Sequence, residues 1–286
     1  NLKFSIIGPS GYIARRHLAA IQRFESPSIY SYLDIKDSDF SVKTKESKFF
    51  SDQEEFFQDL EINPVNFLII CSPNHLHFNQ ILRSVEMGIP VICEKPICIN
   101  YEDLEALNSL PDDKRDLIHS IMQLRLHPVA NQIKDLTSSI QSSISANIQF
   151  VTRRDDAYKK SWKVKREFSG GILFNLGVHY FDLIFNALGQ PIDSKITTLD
   201  DFTAKGVTRF SRGQLNWFFS IDDQYLTSTQ DTIREFSIDN TKIDFSSVSE
   251  DLHYLNYLEI VNNNNKFKFK EMYNVHQYIA NLYKHV

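Results

Sequence analysis

Leu2-Lys3-Phe4-Ser5-Ile6-Ile7-Gly8-Pro9-Ser10-Gly11-Tyr12-Ile13-Ala14 is the stretch that decides the fold. A short apolar run ends in a glycine turn, and from Tyr12 to Phe24 the apolar residues Ile13, Leu18, Ala19 and Ile21 recur at helical spacing. The segment therefore reads as strand, tight turn, helix. Glycine lets the backbone turn sharply and approach a pyrophosphate, Ala14 lets helix pack on strand, and the helix N-terminus offers unpaired N–H groups to negative charge. The spacing is Gly-x-x-Gly-x-x-Ala rather than Gly-x-Gly-x-x-Gly, so two readings stand at this point. Either Gly8, Gly11, Tyr12 and Ile13 cradle a dinucleotide, or the glycines make only a turn.

Working outward, Ile29 to Ile35 reads as a second strand. Phe67-Leu68-Ile69-Ile70-Cys71 is apolar on both faces, as a strand inside a parallel sheet must be. Asn79 to Met87 reads as a helix stopped by Gly88-Ile89-Pro90, Val91 to Cys93 as a strand, Tyr101 to Leu110 as a helix and Leu117 to Met122 as a strand. Strand alternating with helix implies a doubly wound parallel sheet ending near Leu124. Beyond it the rhythm changes. After a helix at Asn131 to Ile140, strand-like runs follow at Ile144 to Thr152, Ile196 to Leu199, Val207 to Phe210, Gln214 to Ile221 and Thr232 to Ile238, with a helix from His179 to Leu188 among them. The expected architecture is an α/β chain: a Rossmann domain over 1–124, then an α+β domain over 125–286 with an open-faced, mostly antiparallel sheet. The Asn262 to Asn265 tract and the Lys266-Phe267-Lys268 after it read as a polar surface loop.

A length of 286 residues suits two domains, and 42% hydrophobic residues supply a sizeable core. Net charge is −5, which argues against nucleic acid or a membrane surface as partner. Cys71, Cys93 and Cys98 make an odd count, two of them inside apolar runs, so free thiols in a reducing cytoplasm are expected. No Cys or His set near them completes a four-ligand site, and no metal is expected. No apolar stretch approaches bilayer length and no signal pattern opens the sequence, which predicts a soluble, unexported protein.

Several polar residues fall where open α/β sheets bind ligands. Asp34, at the end of the second strand, suits the two ribose hydroxyls of a dinucleotide and would repel a 2′-phosphate, which predicts NAD; it would otherwise be a solvated carboxylate. Ser72, Asn74 and His77 follow the Phe67 strand, where they would contact cofactor or cap the next helix. Val91-Ile92-Cys93-Glu94-Lys95-Pro96 ends a strand in a charged pair, and Gly170-Gly171-Ile172-Leu173-Phe174-Asn175-Leu176-Gly177-Val178-His179-Tyr180-Phe181-Asp182 puts Asn175, His179 and Asp182 at near-helical spacing. Oxidising a secondary alcohol needs a base for the hydroxyl proton while hydride leaves for nicotinamide, and His179 has the ordinary pKa nearest neutrality. Lys95 would stabilise the developing alkoxide. Which of the two takes the proton stays open. Asp182 would orient the imidazole or meet a sugar.

These motifs, with Cys71-Ser72-Pro73-Asn74, Gln123-Leu124-Arg125 and Lys160-Ser161-Trp162-Lys163, occur in an order that resembles the glucose-fructose oxidoreductase and inositol dehydrogenase family over nearly the whole chain. Within it they are most similar to the UDP-N-acetylglucosaminuronate 3-dehydrogenases of surface-polysaccharide and O-antigen synthesis. The resemblance implies NAD as cofactor, with Glu94 and Lys95 in its site, and a UDP-sugar held between the domains and oxidised at C3. It also implies a homotetramer formed through the second sheet, and it leaves open functional coupling to an aminotransferase that would consume the product. Many members carry Asp at the position of Asn175, as the uronate-oxidising relatives do not. The one strong basic cluster, Tyr158 to Arg166, then matches a substrate with two phosphates and a carboxylate, with Tyr158, Lys163 and Arg125 as contacts. The competing readings are a dehydrogenase of a simple sugar or cyclitol, and a NAD-sensing protein that does no chemistry. Whether NADH is released or reoxidised in place by 2-oxoglutarate is not legible.

Overall fold

The computed structural model describes residues 2–246 and 251–284. It divides into two compact units, one comprising Asn1–Cys98, Glu102–Gln123 and Glu250–Tyr273, the other Ile99–Tyr101, Leu124–Ser249 and Asn274–Val286.

In the first unit the elements alternate: β1 Lys3–Ile7, α1 Ala14–Ile21, β2 Ser28–Leu33, β3 Lys48–Phe50, α2 Gln53–Ile62, β4 Phe67–Ile70, α3 His77–Glu86, β5 Val91–Cys93, then α4 Tyr101–Asn108, α5 Asp112–Arg115 and β6 Ile118–Ser120. The six strands lie in the order β3-β2-β1-β4-β5-β6, and every pairing is parallel. The chain reverses its direction of travel across the sheet between β1 and β4, which makes their carboxyl ends the topological switch point. Phe4, Ile6, Leu68, Ile69, Ile70, Val91 and Ile92 are wholly buried, as expected for strands covered on both faces. The polar exceptions pair off: Ser5 Oγ lies 2.8 Å from Ser31 Oγ across β1 and β2.

The second unit holds α6 Pro128–Ser139, β7 Ile144–Thr152, α7 Asp156–Lys160, α8 Arg166–Ser169, α9 Val178–Leu188, β8 Pro191–Leu199, β9 Thr203–Phe210, β10 Gly213–Ser220, β11 Thr232–Ile238 and β12 Thr241–Ile243. Its sheet runs β12-β11-β7-β10-β9-β8, antiparallel except for the β7–β10 pair. One face packs Ala146, Ile148, Leu215, Trp217, Phe219, Phe236 and Ile238 into a core. Alternate residues such as Asn147, Glu235 and Asn216 point away from that core, as the two-residue period of a strand requires.

Several expectations shift. The segment carrying α10, Leu252–Val261, was expected in the second domain but packs with the first unit. The last helix, α11 Phe269–Lys284, begins there and continues into the second. Asn262 to Lys266 are exposed as expected, but Phe267 is fully buried and Lys268 is tied to Asp116 Oδ2 at 2.8 Å. The stretch Arg166–Leu188, taken as one helix, is long and apolar enough to cross a membrane, contrary to expectation. It breaks at Gly170 and Gly171 (φ +81° and +87°), and 78% of its apolar window is buried in the protein, the signature of a core helix.

Candidate active site

The glycine turn is built as a cradle. Gly8 has φ +76°, and a Cβ there would stand 3.0 Å from the Cys71 carbonyl oxygen, so only glycine fits so close to the end of β4. Gly11 N–H donates to Gly8 O at 3.1 Å and closes the turn, and α1 begins beyond it with no side-chain cap on its N-terminus. Its first N–H groups are thus left to an outside acceptor. Asp34, immediately after β2, accepts from Ser10 N–H at 2.9 Å and Ile35 N–H at 2.7 Å, which fixes its carboxylate against the turn. Carboxylate oxygens have further acceptor capacity, so ribose hydroxyls remain suitable partners. Turn, open helix end and carboxylate together fit a dinucleotide.

At the ends of β4 and β5 the residues play other parts than expected. His77 was expected to touch cofactor. It is fully buried instead, with Nδ1 2.7 Å from Pro96 O and Nε2 2.9 Å from Ser72 O, so it ties the two loops together. Ser72 hydroxyl donates to Gln80 Oε1 at 2.6 Å. The N-cap positions of the turn and helix that follow are Pro73 and Leu76, and neither makes a side-chain cap bond. Glu94 is buried, accepting from His17 at 2.7 Å and from Lys95 N–H at 3.2 Å. Burial opposes its charge, but the hydrogen bond from His17 and the nearby His253, with Nε2 3.6 Å away, outweigh that and hold the carboxyl well below its ordinary range. Lys95 is half-buried and its peptide to Pro96 is cis. The three cysteines are free and buried, and burial pushes each thiol well up.

In the second unit, His179 lies half-buried in the first turn of α9, directly after a π-helical turn at Leu173–Gly177. Such widened turns occur often at functional positions. Tyr283 supports it: its hydroxyl accepts from Leu173 N–H at 3.1 Å and would stand 2.3 Å from a Cβ on Gly171. Asn175, within the π turn, donates from Nδ2 to Lys163 O at 2.7 Å. A carboxylate there would face a carbonyl oxygen, which explains why this chain has the amide where Asp was the alternative. Lys163 Nζ lies 5.4 Å from the Tyr158 ring centroid, so Tyr158, Lys163 and Asn175 come together.

Arg125 and Asp182, both expected to contact substrate, are engaged with each other. Arg125 Nε donates to Asp182 Oδ2 at 2.7 Å and Nη2 to Oδ1 at 2.5 Å, a bidentate pair with side chains 13% and 4% exposed. Within the basic run, Lys159 pairs with Asp223 at 2.8 Å and Arg166 donates to Tyr283 O at 2.8 Å. A residue missed in the sequence is Arg154, whose guanidinium is 4.9 Å from the Tyr158 ring on the unit that already brings Lys163 to it. Burial pushes the Tyr158 hydroxyl up, with Arg154 working the other way. The adjacent Arg153-Arg154 pair was the available signal.

A family model for an oxidoreductase family with an NAD-binding Rossmann fold matches residues 2–120, and the GFO/IDH/MocA C-terminal domain matches residues 142–223. An oxidoreductase of Rhizobium meliloti is 32% identical over 126 residues, 44% of this chain and 37% of its own length. The glucose-6-phosphate 3-dehydrogenase of Bacillus subtilis is 26% identical over 197 residues, 64% of this chain and 53% of its own. The chain spans 37% to 60% of the length of the first four curated relatives it matches. A crystal structure of the WlbA (WbpB) dehydrogenase from Thermus thermophilus in complex with NAD and UDP-GlcNAcA superposes with a TM-score of 0.88 at 27% identity, covering 99% of this chain and 94% of that one.

Proposed function

The chain belongs to the GFO/IDH/MocA oxidoreductase family, whose NAD-binding Rossmann fold forms its first unit, and from that premise we propose that it oxidises the C3 hydroxyl of a UDP-linked N-acetylglucosaminuronate. Gly8, Gly11 and the start of α1 hold the pyrophosphate, and Asp34 the adenosine ribose. When bound, NAD supplies the hydride acceptor. His179 takes the hydroxyl proton, and Lys95 places positive charge where the alkoxide develops. The observation that carries the narrower assignment is the group of Arg154, Tyr158 and Lys163, with Lys163 tied to Asn175 four residues before His179. Two cations around one aromatic ring suit a substrate bearing phosphates and a carboxylate. The likeness to the Thermus dehydrogenase at 27% identity supports the same substrate. A sugar phosphate is the second reading, supported by the same cations and by the similarity to a glucose-6-phosphate 3-dehydrogenase.

The test is NADH formation from NAD with UDP-N-acetylglucosaminuronate, UDP-N-acetylglucosamine, glucose 6-phosphate, inositol and glucose, each with and without 2-oxoglutarate. Turnover of the uronate is expected. Turnover of glucose 6-phosphate alone would move the assignment to the second reading, and silence across the panel with NAD bound would favour a sensor.

A further inference from the structure

His17, on α1, links the glycine-turn helix to the Lys95 loop through the interior of the first unit. Its Nδ1 is 2.7 Å from the Tyr257 hydroxyl of α10 and its Nε2 is 2.7 Å from Glu94 Oε1, while His253 Nε2 stands 3.6 Å from the same oxygen. Hydroxyl, imidazole and carboxylate thus form one line, in which Tyr257 O–H donates to Nδ1 and Nε2–H donates to Glu94. Burial lowers the His17 pKa against the raising influence of Glu94, so the imidazole is neutral while the carboxylate is ionised. Cys71, Cys93 and His77 also face this charge; both thiols are pushed well up by burial and the imidazole is lowered, so none neutralises it. The line carries one net negative charge.

Topology says which half of the cofactor feels it. A dinucleotide lies across the switch point, here between β1 and β4. Asp34 at the end of β2 marks the adenosine side, and Glu94, directly after β5, lies on the opposite side of that point, where nicotinamide belongs. The oxidised ring is positively charged and the reduced ring is not. We infer that the Tyr257–His17–Glu94 line is a built-in countercharge that makes the site favour NAD+ over NADH. This rests on the NAD reading above.

Calorimetric titration with NAD+, NADH and ADP-ribose tests it without any sugar substrate. In Glu94→Gln the Kd for NAD+ relative to that for NADH should rise roughly tenfold, about what one unit charge does over about 10 Å at an effective dielectric constant near 20. ADP-ribose, which lacks the ring, should bind as before; a merely structural disturbance moves all three alike. Should Glu94→Gln not fold, His17→Phe removes the strongest of the groups that hold the carboxylate ionised, and a smaller rise in the same direction is expected. An unchanged ratio in a folded variant overturns the inference. So does a stoichiometric divalent metal in the purified protein, because the ligand atoms of His17, Glu94 and His253 lie within 4.8 Å of one another and would then be a metal site. Wild-type protein that binds none of the three ligands refutes the NAD reading and this inference with it.

Discussion

At the scale of single residues, Arg125 and Asp182 show how a conspicuous charge can be structural. Removing one member of a buried pair strands the other, so Asp182→Asn should cost about 3 kcal/mol of stability, seen as a lowered Tm, with little change in substrate KM once folded. His179→Asn should do the reverse, lowering kcat about a hundredfold or more while Tm and NAD affinity hold. A His179→Asn enzyme near wild-type turnover would remove the residue from the chemistry. Lys163→Ala should raise substrate KM without changing kcat, because a cation that holds the substrate's anionic groups in the proposed way acts in ground and transition states alike.

At the scale of elements, the β1 turn is the most constrained piece. Gly8→Ala forces a Cβ against the Cys71 carbonyl and a left-handed φ on alanine, for about 1–2 kcal/mol, and NAD affinity should fall with it. A thermal melt and a NAD titration check both. This turn was legible in the sequence, as were all the long parallel-sheet strands, because an apolar run ending in glycine has few other meanings. β3 and α2 were not read, although Asp52 accepting from Glu55 N–H at 3.0 Å is a helix start visible as a spaced acidic pair. β3 is only three residues long and mostly exposed, too short to show a period. The π turn before α9 was hidden for a different reason: its sequence keeps ordinary helical spacing, and the Tyr283 hydroxyl bonded to its first residue, Leu173, comes from far along the chain. Lys95 and His179 stood out by type and motif, whereas His77 looked like a ligand because burial cannot be read from a histidine's neighbours in sequence.

For the whole molecule, buried histidines set the response to acid. His17, His77 and His119 are lowered by burial, His119 from 6.5 to about 4. They stay neutral when folded and take protons when unfolded, so the unfolded state binds more protons below pH 6.5 and stability falls there as pH drops. For His119 alone the fall from 6.5 to about 4 is worth about 3 kcal/mol. Melting temperature should therefore be level above pH 6.5 and decline steadily toward pH 4; a flat profile would mean the imidazoles are solvated. Sedimentation should further report a tetramer, proposed to form through the outward face of the second sheet. The return of α10 to the first unit also bears on how the protein is made. His17 leaves the ribosome 240 residues ahead of Tyr257. At ordinary elongation rates that is roughly ten to fifty seconds during which the nascent cofactor-binding half has an interior histidine and carboxylate without their closing helix. That half completes its fold only after the whole sheet of the second unit, β7 to β12, has been synthesised, and until then it is a natural client for chaperones.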